Sequence, residues 1–80
     1  MTLNQALSQR IRQILKEKNL TQYRLELNAG ISHSTMNCFL NGRYKACNFK
    51  TLILIIRALG MSVSEFFDDK IFEDETLIID

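Results

Sequence analysis

The most specific chemistry in this 80-residue sequence sits in residues 32–41. If that segment is helical, Met36, Phe39 and Leu40 fall on one face at the i, i+3, i+4 spacing of a buried stripe. His33, Ser34, Asn37 and Cys38 then share the opposite face. Their side chains are small or polar enough to approach the edges of DNA bases, so the chemistry they offer is hydrogen-bonded base reading. Other chemistries are poorly served. His33 is the lone histidine, with no evident carboxylate or nucleophile arranged around it, and no glycine-rich phosphate loop is present, so no enzyme is expected. With Cys38 and Cys47 it supplies three metal ligands at most, at spacings that match no zinc motif, where about four are needed. Neither a metal nor another cofactor is therefore expected. His33 also has a plain reading as a solvated residue at a helix start, and Cys38 as a small, partly buried one.

The elements that position these residues can be read from periodicity and capping. Leu3, Leu7, Ile11, Ile14 and Leu15 recur at helical spacing, which predicts an amphipathic helix over residues 3–18 with Asn19 as its stop. Arg10, Arg12, Lys16 and Lys18 read as its solvated face. Thr21 can cap a short second helix, with Leu25 and Ala29 on its inner side, that ends at Gly30. Glycine suits that point because a tight helix-to-helix turn needs the left-handed backbone conformation. Ser32 caps the third helix, and Asn41-Gly42 ends it. Asn48 opens a fourth helix carrying Leu52, Ile55, Ile56 and Leu59, with Gly60 as the stop. Ser62-Val63-Ser64-Glu65 fits a capping box for a short fifth helix with Phe66 and Phe67, one ring of which closes the core. Absence of proline suits a mostly helical chain.

Composition is that of a packed globular domain, with 46% hydrophobic and 24% charged residues. The net charge of +1 hides an asymmetry. Residues 1–64 hold nine Lys/Arg against Glu17 and Glu26, a balance of +7, whereas residues 65–80 hold Lys70 against seven carboxylates, a balance of −6. A basic body suggests a nucleic-acid partner. Residues 1–68 are accordingly expected to be the binding domain and 69–80 an acidic tail. The stretch beyond Asp68 reads as mobile and dispensable for folding, although Thr76 to Ile79 would make a strand given an edge. No apolar run approaches the ~20 residues of a membrane span. The N-terminal residues do not form a signal peptide, which implies a cytoplasmic protein and reduced cysteines.

The motifs Leu20-Thr21-Gln22, Ala29-Gly30-Ile31-Ser32, Asn41-Gly42-Arg43 and Ala58-Leu59-Gly60-Met61-Ser62 make the chain, from about Leu7 to Phe67, resemble the helix-turn-helix family of phage repressors and Cro proteins. The resemblance implies an all-α, compact five-helix, lambda-repressor-like domain that binds double-stranded DNA, the third helix entering the major groove. It places His33, Ser34, Thr35 and Cys38 at base-reading positions, Gln22 against the DNA backbone, and Asn41, Arg43, Tyr44 and Lys45 near phosphates. Thr21, Ser32 and Asn37 complete the candidate contact set. Departures from the family pattern are Glu26, where alanine usually sits at the helix crossing, Leu27 at a normally polar position, and Leu40 before the Asn-Gly pair.

The function expected is a transcription regulator, a repressor by family, acting as a homodimer on paired half-sites. Leu27, Ile53 and Leu54 are apolar beyond what the core stripes need and could supply the dimer surface. The alternative is an antitoxin-like or adaptor protein that works through a protein partner, using the acidic tail or that apolar surface.

Overall fold

The computed structural model describes residues 1–41 and 48–80. Within them run α1 (Leu3–Glu17), α2 (Gln22–Ala29), α3 (His33–Leu40), α4 (Phe49–Ala58) and α5 (Val63–Phe67), followed by a 3₁₀ turn over Lys70–Glu73. The fold is all-α, as the periodicity predicts. Each expected N-cap accepts a hydrogen bond from a first-turn amide: Thr21 from Arg24 at 3.1 Å, Ser32 from Thr35 at 3.1 Å and Asn48 from Lys50 at 2.9 Å. Ser62 and Glu65 form the reciprocal box, at 3.1 Å in both directions. Thr2 and Gln5 build a second box at the start of α1. These bonds satisfy amides that have no partner inside the helix, which is why short polar residues mark helix starts.

Gly30 ends α2 at φ 68° and ψ 34°, and its N–H bonds to the Glu26 carbonyl at 2.9 Å. An alanine Cβ there would meet nothing within 4 Å, so the cost of Gly30→Ala is backbone strain alone. We expect a loss of about 1–2 kcal/mol, seen as a lower urea midpoint at unchanged slope. A loss of zero would mean that the turn relaxes into another conformation.

Against this frame α1 packs on α3, α2 on both α3 and α4, and α4 on α5. Ile11, Leu25, Met36, Ile55 and Phe66 are fully buried where the helices meet. The ring that closes the core is Phe66, and it meets Phe67 edge-on at 5.0 Å between centroids. Among the described residues no helix is long and apolar enough to cross a membrane.

Two readings of charged segments need correction. Arg10 is not part of a solvated face but is 8% exposed. Its Nε donates to the Phe66 carbonyl at 2.7 Å and its Nη2 to the Glu65 carbonyl at 2.9 Å, which ties α1 to the end of α5. Arg12, although exposed, donates Nε and Nη2 to the Leu40 carbonyl at 3.2 and 2.8 Å, and the buried Ser8 hydroxyl donates to the same oxygen. Three donors from α1 thus hold the C-terminal end of α3. The stretch after Asp68 is docked rather than detached: Phe72 lies 4.9 Å from Phe67 and 6.1 Å from Phe66 between centroids. Ile78 then forms a parallel bridge with Thr2, its N–H bonding the Met1 carbonyl at 3.1 Å and its carbonyl accepting from Leu3 at 2.8 Å. The charge of this stretch suggested mobility, but its interleaved apolar residues find α1 and the aromatic cluster.

Candidate nucleic-acid interface

Helix α3 is held at both ends, and its outer face is what it leaves to solvent. At its C-terminal end the Leu40 carbonyl carries the three donors from α1. At its N-terminal end, His33 Nδ1 lies 2.9 Å from Glu26 Oε2 on α2. Gln22 Nε2 donates to that same Glu26 oxygen at 3.0 Å and to Asn37 Oδ1, also at 3.0 Å. The four residues Gln22, Glu26, His33 and Asn37 therefore form one network across the α2–α3 crossing. Gln22 and Glu26 meet because residues four apart share a helix face.

Glu26 is an acidic residue at the α2–α3 crossing, and it is 7% exposed. A carboxylate buried without partners would be costly. Burial raises the pKa of Glu26, but the hydrogen bonds from His33 and Gln22, with the His33 charge when protonated, outweigh it and hold the carboxyl below the ordinary glutamate range. Ionised Glu26 is thus a fixed acceptor beneath the face.

Of the expected contact residues, His33, Ser34, Asn37, Cys38 and Asn41 line one shallow groove on the outer face of α3. Cys38 is a half-buried free thiol in that groove. Thr21 and Ser32 are exposed, but their hydroxyls are engaged as caps, and Ser32 Oγ also donates to Thr35 Oγ1 at 2.9 Å. Thr35 is half-buried by the turn it shares with Ser32, which leaves Ser34 the more accessible hydroxyl. Gln22 is half-buried and turned into the network. Arg43, Tyr44 and Lys45 lie outside the described residues.

Arg12 and Ser8 support α3 without a signal in their residue types, and Glu26 is legible in the sequence only as a departure from the pattern the chain resembles. Ser8 and Arg12 are themselves four apart on one helix face, but their acceptor is a backbone carbonyl, which no residue type announces. Two further acidic groups sit below their ordinary ranges, Glu65 through hydrogen bonds from the Ser62 backbone and side chain, and Asp74 through those from Thr76. Both are helix or turn caps remote in role from the α3 groove.

Residues 10–70 match the model of the Cro/C1-type HTH DNA-binding domain. The fold is similar to the crystal structure of the prophage Lp1 protein 11, with a TM-score of 0.80 and 30% sequence identity over 91% of this chain and 96% of that one. No curated protein matches the sequence.

Proposed function

Because this chain belongs to the family of Cro/C1-type HTH DNA-binding domains, we propose that it is a sequence-specific regulator of transcription, a repressor, whose α3 lies in the major groove of an operator. The observation that carries the reading is the α3 groove lined by His33, Ser34, Asn37, Cys38 and Asn41, on a helix whose two ends are fixed by α1 and α2. A helix fixed in this way can present short polar groups to base edges at constant register. In this reading residues 1–68 are the DNA-binding domain of a cytoplasmic protein that is not an enzyme, and residues 69–80 are its acidic flank. A homodimer on paired half-sites fits the exposed apolar side chains of Leu27 and Leu54, 55% and 43% accessible. Asn41 and Arg43, with Tyr44 and Lys45, supply phosphate contacts in this reading.

Selection of bound sites from a random DNA pool tests the reading, and a palindromic consensus is the expected result. The selected operator and a scrambled duplex are then titrated at fixed salt with two variants. Arg43→Ala should weaken both by a similar factor, because a phosphate contact carries no base information. Ser34→Ala should weaken the operator selectively, by on the order of 1 kcal/mol for so short a side chain. If both variants lower the two affinities equally, α3 does not read sequence and the docking is wrong.

A further inference from the structure

We infer that Glu26 sets the hydrogen-bonding polarity of the α3 face, making His33 a specificity-determining residue that accepts from an exocyclic amine of adenine or cytosine when neutral and donates to guanine when protonated. This rests on the docking of α3 proposed above, and it follows from the order of donors and acceptors in the network. An ionised carboxylate can only accept. A neutral imidazole has one N–H and one bare nitrogen. With Nδ1 at 2.9 Å from Glu26 Oε2, the ring proton must be on Nδ1, so Nε2 is the acceptor that faces outward on a side chain 71% exposed. In the major groove the matching donors are adenine N6 and cytosine N4, whereas guanine offers only acceptors at N7 and O6. Protonation places hydrogens on both nitrogens and reverses the match.

The same carboxylate fixes a second position. Gln22 Nε2 lies 3.0 Å from both Glu26 Oε2 and Asn37 Oδ1, so its two hydrogens are both used. Were the Gln22 amide turned over, its oxygen would face two other acceptors. Asn37 therefore turns its oxygen to Gln22 and keeps its NH₂ for the groove it lines with His33. Glu26 is the titratable group that meets the His33 ring from α2. On α3 Cys38 shares the groove, and from α1 Arg12 holds the Leu40 carbonyl at the far end of the helix, where Lys16 lines the neighbouring surface. Glu26 stays ionised into mild acid because its carboxyl is held below the ordinary range. Protonation of the ring then strengthens its bond to Glu26 rather than breaking it.

The test uses the full chain and two readouts. NMR of the ¹⁵N-labelled His33 imidazole, without DNA, reports at about pH 8 which ring nitrogen carries the proton. The Nδ1–H form should dominate in the native chain, and Glu26→Gln, whose amide can accept or donate, should mix the two forms while circular dichroism stays unchanged. A dominant Nε2–H form in the native chain overturns the inference whatever the DNA results.

Duplexes carrying each of the four base pairs at every selected position are then compared at about pH 8 and about pH 5.5, as ratios of affinity, so that a general gain from added positive charge cancels. At one position the preference should move from adenine or cytosine toward guanine by on the order of tenfold. His33→Ala should abolish both the preference and its pH dependence there while sparing the other positions. A consensus that is otherwise selected but shows no such position overturns the role of His33 and leaves the docking intact. Loss of all sequence selection overturns the docking itself and the role of His33 with it, the NMR result alone then reporting on the tautomer.

Discussion

Arg10→Ala is expected to cost the fold about 3 kcal/mol, a large share of what holds a domain of this size together. The guanidinium is the only side-chain donor shown for the last carbonyls of α5, bonding Phe66 O at 2.7 Å and Glu65 O at 2.9 Å among the described residues. Carbonyls at a helix end have no acceptor role inside the helix, so they need an outside donor or water. Truncation strands the buried Phe66 carbonyl, whereas the Glu65 carbonyl keeps the Asp68 N–H at 3.3 Å. Each lost bond from a charged donor to a buried acceptor is worth about 1.5–3 kcal/mol, and water reaching the more exposed Glu65 carbonyl returns part of it. The guanidinium carbon also lies over the Phe66 ring, 5.9 Å from its centroid. By contrast, the contact with Asp69 at 3.5 Å is long and partly solvated, so it adds little.

Two further variants separate charge from geometry. Arg10→Lys keeps the charge but cannot span two carbonyls with a planar fork, and should recover less than half of the loss. Asp69→Asn should be nearly neutral. Urea unfolding with a constant slope provides the measurement, and a loss below about 1 kcal/mol for Arg10→Ala would show that water replaces the guanidinium without penalty.

Arg10 also shows where a sequence stops being legible. The helix starts could be read because capping is local: Thr21, Ser32, Asn48 and Ser62 each bond an amide two or three residues away. The apolar stripes could be read for the same reason, since helical period alone places Leu25 or Met36 inward. The partners of Arg10 and Arg12 are backbone carbonyls 56 and 28 residues away, and every residue carries a carbonyl. Periodicity therefore assigned both arginines to solvent. Glu26 was visible as an anomaly, an acid where a small residue is usual, but its meaning depends on His33, seven residues on and across a turn. The groove residues on α3 were legible as a set because they are simply the complement of Met36, Phe39 and Leu40. The engagement of the Ser32 and Thr35 hydroxyls with each other was not, since Ser32 Oγ caps the Thr35 amide and in the same turn donates to Thr35 Oγ1.

Deleting residues 70–80 should separate the two contributions of the C-terminal segment, destabilising the fold while tightening its hold on DNA of any sequence. The segment carries one lysine and four carboxylates, so its removal raises the net charge from +1 to +4. Non-specific affinity is dominated by charge and should rise severalfold at low salt, an advantage that fades as salt screens it. The structural cost has another origin. Phe72 seals the aromatic cluster against Phe67 and Phe66, and Ile78 bridges to Thr2. Losing a half-buried ring and re-exposing its neighbours should cost about 2–3 kcal/mol, at roughly 25 cal/mol per Å² of apolar surface. A full-length chain with Glu73→Gln, Asp74→Asn and Glu75→Gln reaches the same +4 while retaining every apolar contact. It should match the deletion in its grip on a scrambled duplex and stay close to the native chain in stability. Phe72→Ala should do the reverse, losing stability at unchanged charge. A deletion as stable as the native chain would show that the docked segment contributes nothing to the fold, and a neutralised chain that binds the scrambled duplex no more tightly would remove its electrostatic role.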